Sequence, residues 1–171
     1  MQANEVLSDA FMRIRGGVHK TVADLDVAAL IWRPDPDANP IAWLVWHLTR
    51  IQDDHVADIA AQEQVWESDA WAERFGLEPG TMDHGYGHTS QQVAAVRPEQ
   101  PQVLIEYHDL VAEHTRRYLE KVDADELGRV IDRSWDPPVT AGVRLVSVIA
   151  DGLQHIGQAA YVRGMYERQG R

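Results

Sequence analysis

The stretch NPIAWLVWHLTRIQDDHVADIAAQ (Asn39–Gln62) carries the clearest structural signature in the chain. Ile41, Leu44, Val45, Leu48, Ile51, Val56 and Ile59 recur every one to five residues on one stripe, the period of a helix with an apolar face and not the alternation of a half-buried strand. Asn39 reads as the N-cap and Pro40 as the first helical position, where its missing N–H leaves no bond unmade. The spacing predicts a long helix from residue 40 to about residue 62.

Working outward, three more segments carry the same period. The first runs from about Asn4 to Leu25, with Val6, Phe11, Ile14, Val18, Val22 and Leu25 on one side. A short helical turn over DVAALIW (26–32) follows, and the three prolines of RPDPDANP (33–40) then break the chain. Another helix is expected from Glu99 to Val122, with Val103, Leu104, Leu110, Val111, Tyr118 and Leu119 facing inward. After DRSWDPPVT (132–140), Thr140 can cap a last helix that continues to about Glu167. Residues 67–98 are less regular: SDAWAERF (68–75) suggests a short helix, and EPGTMDHGYGHTS (78–90) a structured excursion over one end of the molecule. Four amphipathic helices with little strand signal predict an all-α fold, a four-helix bundle with longer inter-helix connections. The order of the helices around the bundle stays open, and the expectation is a single domain over residues 1–171.

Bulk composition narrows the function classes. The chain has a net charge of −11, which argues against nucleic acid as a partner because phosphate binding needs a basic patch. No apolar run approaches the roughly 18 residues of a membrane span. The N-terminal residues lack a basic flank followed by an apolar block, so no signal peptide and a cytoplasmic location are expected. The absence of cysteine excludes disulfides, thiolate ligands and a cysteine nucleophile from this sequence. Nucleophile-elbow, Walker A, dinucleotide-binding and H-E-x-x-H patterns are all missing.

The polar residues at the edges of the apolar stripes carry what chemistry there is. In DGLQHIGQAAY (Asp151–Tyr161), Asp151 and His155 stand four apart and share a helix face. Alone they read as a hydrogen-bonded boundary pair, and His47 alone as a core-edge histidine. Together they form two imidazoles and a carboxylate on two helices, and bundles build metal sites from such inward-facing groups. Three ligands with an open position suit a catalytic zinc better than a structural one; iron and nickel fit the same donors. Gln158, one turn beyond His155, is placed to accept the imidazole's other N–H.

NPIAWLVWHL, RIQDDH and RLVSVIADGLQHIGQAAYVRG together resemble the DinB-like superfamily of four-helix metalloproteins. Its pattern is one histidine on the second long helix and an H-x-x-x-H pair on the fourth, the last followed by x-G-Q. Those positions are His47, Asp151 and His155 here, with Gly157 and Gln158 completing the tail. Asp151 departs from the common histidine and resembles the carboxylate of the mycothiol-dependent maleylpyruvate isomerases. The resemblance implies a divalent metal (zinc first, nickel or iron as alternatives) and a low-molecular-weight thiol as cosubstrate. It also implies a small-molecule electrophile and a homodimer, and the small residues Gly152 and Gly157 fit close packing against a helix or a second subunit. Arg-rich, Lys-poor composition leans toward mycothiol over bacillithiol.

The remaining histidines compete for roles. His55 lies about 12 Å further along the helix than His47, too far to share an ion, and reads as a buried structural residue or a pocket residue. Asp54 reads as solvated. His84 and His88 sit between glycines and read as pocket mouth or surface; His19, His108 and His114 read as structural or surface. Trp43, Trp46 and Trp66 suit helix packing, whereas Trp32, Trp71 and Trp135 lie near loops and could roof a pocket. The leading expectation is a metal-dependent thiol S-transferase or isomerase. The alternatives are a metal-dependent hydrolase and a metal-binding stress-response or dimerisation module without turnover.

Overall fold

The computed structural model describes residues 2–169 and is dominated by four long helices: α1 (Ala3–Val22), α3 (Ile41–Ala60), α6 (Pro101–Leu119) and α8 (Ala141–Glu167). These are the four that hydrophobic periodicity predicts. Short helices occupy the connections: α2 (Val27–Ile31), α4 (Trp71–Arg74), α5 (Ser90–Ala95) and α7 (Ala124–Gly128), with a 3-10 turn at Val65–Glu67. A small antiparallel pair, β1 (Val130–Asp132) with β2 (Val139–Thr140), escapes the sequence reading because so few residues cannot establish an alternation. Among the described residues no helix is long and apolar enough to cross a membrane.

Several boundaries and faces differ from the expectation. Pro40 itself occupies the N-cap of α3, in an extended conformation with its carbonyl accepting from the Leu44 N–H, so Asn39 lies outside the helix. Val6 and Leu110 face solvent although simple spacing puts them inside. Phe11, Ile14, Val18 and Val22 of α1, and Val103, Leu104, Tyr107 and Val111 of α6, supply the buried faces instead. Thr140 does cap α8, its side chain accepting from the Val143 N–H.

Helix-to-helix proximity gives the order around the bundle as α1, α6, α3, α8. Helices α1 and α8 run parallel: Gly152 faces Ile14, Gly17 faces Ile156, and Arg163 reaches the carbonyls of Lys20, Thr21 and Ala23 at 2.9, 3.1 and 2.8 Å. Helices α3 and α6 are also parallel, since Thr49 meets His108 and Gln52 meets Thr115. Helix α3 is antiparallel to α8, with His47 beside Asp151 and His55 beside Arg144. Two consecutive long helices that point the same way require the chain to travel back between them. Residues 61–100 make that return, which explains a connection too long for a simple turn.

Among the buried polar contacts that join α3 to α6 is one between Thr49 and His108. The Thr49 hydroxyl donates to the Val45 carbonyl (2.8 Å), so it can only accept from His108 Nδ1 at 3.0 Å. His108 is fully buried, and its Nε2 is left without a partner as a bare lone pair. Protonating it would bury a charged N–H with no acceptor, and burial accordingly lowers its pKa to about 4. The unfolded value is near about 6.5, so between these values the unfolded chain binds more protons and stability falls as pH falls. Urea unfolding of metal-free protein should show about 2 kcal/mol of stability lost between pH 7 and pH 5 through this residue. His108→Asn should flatten that part of the profile; an unchanged slope would exclude His108 as its source.

Candidate metal centre

Helix α3 is buried on nearly every side, from Ile41 through Arg50 without a break. Its apolar residues meet the bundle core, and a second face carries Trp43, His47, Arg50 and Asp53 at helical spacing. The returning segment lies along that face and is bonded to it at each turn. Asp53 accepts from the Val65 and Trp66 N–H groups at 3.0 and 2.8 Å. Arg50 donates to the Met82 and Asp83 carbonyls, His47 Nδ1 to the His84 carbonyl at 2.5 Å, and Trp43 Nε1 to His88 Nδ1 at 3.1 Å.

His47, thus held, meets the two polar residues that α8 presents one turn apart. Its Nε2 is 4.0 Å from Asp151 Oδ1, and His155 Nε2 is 3.4 Å from the same oxygen. The two imidazole rings stand edge to face, 4.8 Å between centroids at 80°. One donor atom from each residue lies within 4.8 Å of the others. Among the described residues this is the one group of three or more histidine, aspartate or glutamate side chains so placed. Trp43 stacks flat on His47 (4.6 Å, 8°) and turns its edge to His155 at 6.2 Å, walling one side.

Both far nitrogens are engaged. His47 Nδ1 faces a peptide carbonyl, which only accepts, so the proton sits on Nδ1 and Nε2 offers a lone pair. His155 Nδ1 pairs with Gln158 Oε1 at 2.8 Å, the role the sequence gives Gln158. Burial holds His47 below the usual imidazole range, against the pull of the His84 carbonyl and Asp151. The hydrogen bond to Asp151 raises His155 above that range. Among the described residues, the buried Asp151 Oδ2 has no hydrogen-bond partner. Two imidazoles and a carboxylate with donor atoms within 4.8 Å of one another, and a second carboxylate oxygen left unpaired among the described residues, form a set that a divalent cation fits.

The other sequence candidates separate. His55 is half-buried, accepts from Arg144 Nη1 at 3.0 Å, and lines a cleft of about 400 Å³ with Asp54, Gln64 and Arg144. Burial and then the Arg144 charge lower its pKa. Asp54 is not simply solvated, since it accepts from Gln64 at 2.9 Å. The HGYGH loop covers the site rather than forming plain surface: His84 contributes its carbonyl, and His88 Nε2 pairs with Asp83 Oδ2 at 2.6 Å. Gly85 at φ +93° lets the loop press close, since a Cβ there would meet Trp46 at 2.9 Å and His47 Nδ1 at 3.0 Å. His19 pairs with Asp109 at 2.7 Å. Of the loop tryptophans, Trp71 is buried beside Tyr107, Trp32 packs on Tyr166 and Trp135 is exposed. Trp43, expected only to pack between helices, is the one that borders the triad.

Sequence reading passes over Arg50 and Asp53 altogether. Their signal is an i, i+3 charge pair on a helix whose first turns contain almost no other polar group.

Comparison with known proteins follows the same outline. A family model described as Mycothiol-S-transferase matches residues 6–168. A solved structure described as the conserved protein of a locus from Enterococcus faecalis is 32% identical to this chain, covers 100% of it and 99% of its own length, and superposes with a TM-score of 0.90. No curated protein matches.

Titrated with zinc, the protein should take up one equivalent per chain, measured by calorimetry or elemental analysis. His47→Ala and Asp151→Ala should each abolish that uptake, and Gln158→Leu should weaken it by about 10- to 100-fold. Uptake that survives both ligand substitutions would put the ion elsewhere.

Proposed function

This chain belongs to the mycothiol-S-transferase family, a DinB-like family, and we propose that it is a metal-dependent enzyme moving the sulfur of a mycothiol-type thiol onto a small electrophile. The observation that carries this reading is the donor set itself: two imidazoles and a carboxylate aimed at one point, with Asp151 Oδ2 buried and unpaired. His47, Asp151 and His155 would hold the ion, with zinc the first choice for nitrogen and oxygen donors at a catalytic site. A divalent ion there supplies positive charge that deprotonates a thiol whose free pKa is about 8.5.

The chain's own residues do the rest. The His84 carbonyl and Gln158 keep both imidazoles turned toward the centre, and Trp43 shields one side from water. With no cysteine in the sequence, the sulfur must arrive on a cosubstrate. In the transfer, a sulfur lone pair forms the new S–C bond, the leaving group departs with its electron pair, and the thiol proton passes to solvent. A cleft of about 440 Å³ opens one turn away along both helices, lined by Leu44, Gln158, Tyr161, Val162 and Met165. Its walls suit a small, largely apolar electrophile.

The outer face of α8 supports a homodimer. Val143, Val146, Ala150, Leu153, Gly157 and Ala160 follow one another at alternating spacings of three and four and are all exposed. Val143 and Val146 at one end of that stripe are bulky, and Gly157 and Ala160 at the other are small. An antiparallel two-fold pairing centred on Leu153 sets Val146 against Ala160 and Ala150 against Gly157. Such a pairing gives Gly157 the close neighbour that it lacks within one chain, where nothing approaches its Cβ position within 4 Å.

Zinc-loaded protein assayed with a panel of thiols and a reporter electrophile should turn over mycothiol well above glutathione or cysteine. His47→Ala should lower the rate by at least about 100-fold. Stoichiometric zinc with no thiol binding or turnover would sink the enzyme reading. Sedimentation of Leu153→Arg should show monomers where the parent protein is dimeric.

A further inference from the structure

The returning segment gives up four consecutive backbone carbonyls to side chains. Trp66 Nε1 takes Thr81 at 2.6 Å, Arg50 Nη2 takes Met82 at 3.1 Å, Arg50 Nε takes Asp83 at 3.2 Å, and His47 Nδ1 takes His84 at 2.5 Å. Arg50 therefore grips the two peptides immediately before the one that orients His47.

Arg50 is fully buried, at 0% exposure, yet it makes no bidentate pair with a carboxylate. Asp53 Oδ2 is 3.6 Å away and already accepts from the Trp66 N–H and the Tyr107 hydroxyl, both at 2.8 Å. The remaining contacts of the guanidinium go to Gln64 Oε1 at 2.8 Å and the Tyr107 hydroxyl at 3.2 Å, and its plane lies 4.7 Å over the Trp66 ring. Burying a guanidinium whose nearest carboxylate stands at 3.6 Å and is hydrogen-bonded to other groups is costly. A fold that needed only a filled space here would be served by methionine or leucine. What arginine adds is a rigid planar fork whose N–H groups diverge at a fixed angle, matched here to two adjacent carbonyls.

We propose that Arg50 is a positioning residue for the metal centre. By holding Met82 and Asp83 it keeps the His84 carbonyl on His47 Nδ1, which pins the proton to that nitrogen and leaves Nε2 as the free donor facing Asp151. Which imidazole nitrogen is free follows from the bond the other one makes. The inference rests on the reading of His47, Asp151 and His155 as metal ligands, but its structural half concerns the protein without an ion.

Two variants and two readouts test it. Arg50→Lys keeps the charge and loses the fork. Gly85→Ala leaves Arg50 in place and pushes the same loop away from His47, through an unfavourable φ of +93° and a Cβ crowding Trp46 and His47. Nitrogen-15 spectra of the metal-free protein report the His47 tautomer, and calorimetry reports zinc affinity. The parent protein should show a single Nδ1–H form. Both variants should show mixed tautomers and bind zinc about 10- to 100-fold more weakly, with helix content unchanged. Zinc affinity within about twofold of the parent and an unaltered tautomer in folded Arg50→Lys would overturn the role of Arg50. Should Arg50→Lys not fold, the same result in Gly85→Ala would overturn it by removing the carbonyl through which Arg50 acts. A parent protein that takes up no zinc would defeat the metal reading instead, and the tautomer comparison would still decide the positioning.

Discussion

The parallel run of α3 and α6 is the constraint on which the rest of the structure depends. A chain leaving α3 at Ala60 must come back along the bundle before α6 can begin at Pro101. A returning backbone that lies against a buried helix loses water at its N–H and C=O groups, and each needs a partner in exchange. Helix α3 supplies those partners from one face: Asp53 accepts from two amides, Arg50 and His47 donate to three carbonyls, and Trp43 donates to the His88 ring. The seam satisfies the return and, at its third step, orients the imidazole that meets α8.

The candidate centre is thus a joint between a rigid edge and a laid-down strap. Asp151 and His155 come from within the long, unbroken α8, where their relative position is fixed by helix geometry. His47 is equally fixed along α3, but the direction of its ring depends on a loop carbonyl. Gln158 performs the same service for His155 from inside the helix. The two imidazoles therefore have unequal supports, one local and one assembled from residues far apart in sequence. The surroundings act unequally too: burial pulls His47 below the usual imidazole range, and the hydrogen bond to Asp151 raises His155 above it.

Much of this was legible in the sequence, for reasons that separate cleanly. The four helices announce themselves because each buries a stripe, and stripes leave a periodic trace. His47, Asp151 and His155 show because a polar residue at the edge of an apolar stripe is conspicuous, and the x-G-Q tail points to Gln158. The seam does not show, because Arg50 and Asp53 draw no notice until something covers them, and what covers them is an irregular segment without periodicity. The same gap leaves the HGYGH loop open between pocket mouth and surface, since its glycines advertise freedom without saying which surface it closes on. Gly152 and Gly157 look alike in sequence and part ways in the fold, the first against Ile14 and the second open.

The pairing of α1 with α8 has its own consequence for the candidate centre. Arg163 closes the end of α1 by taking the carbonyls of Lys20, Thr21 and Ala23, and Ile156 fills the space over Gly17. Gly152 lies as close to Ile14, so the apolar side of α1 is covered by the very helix that brings Asp151 and His155 to His47. Crowding at Gly17 or Gly152 would therefore reach the centre without touching any of its three side chains.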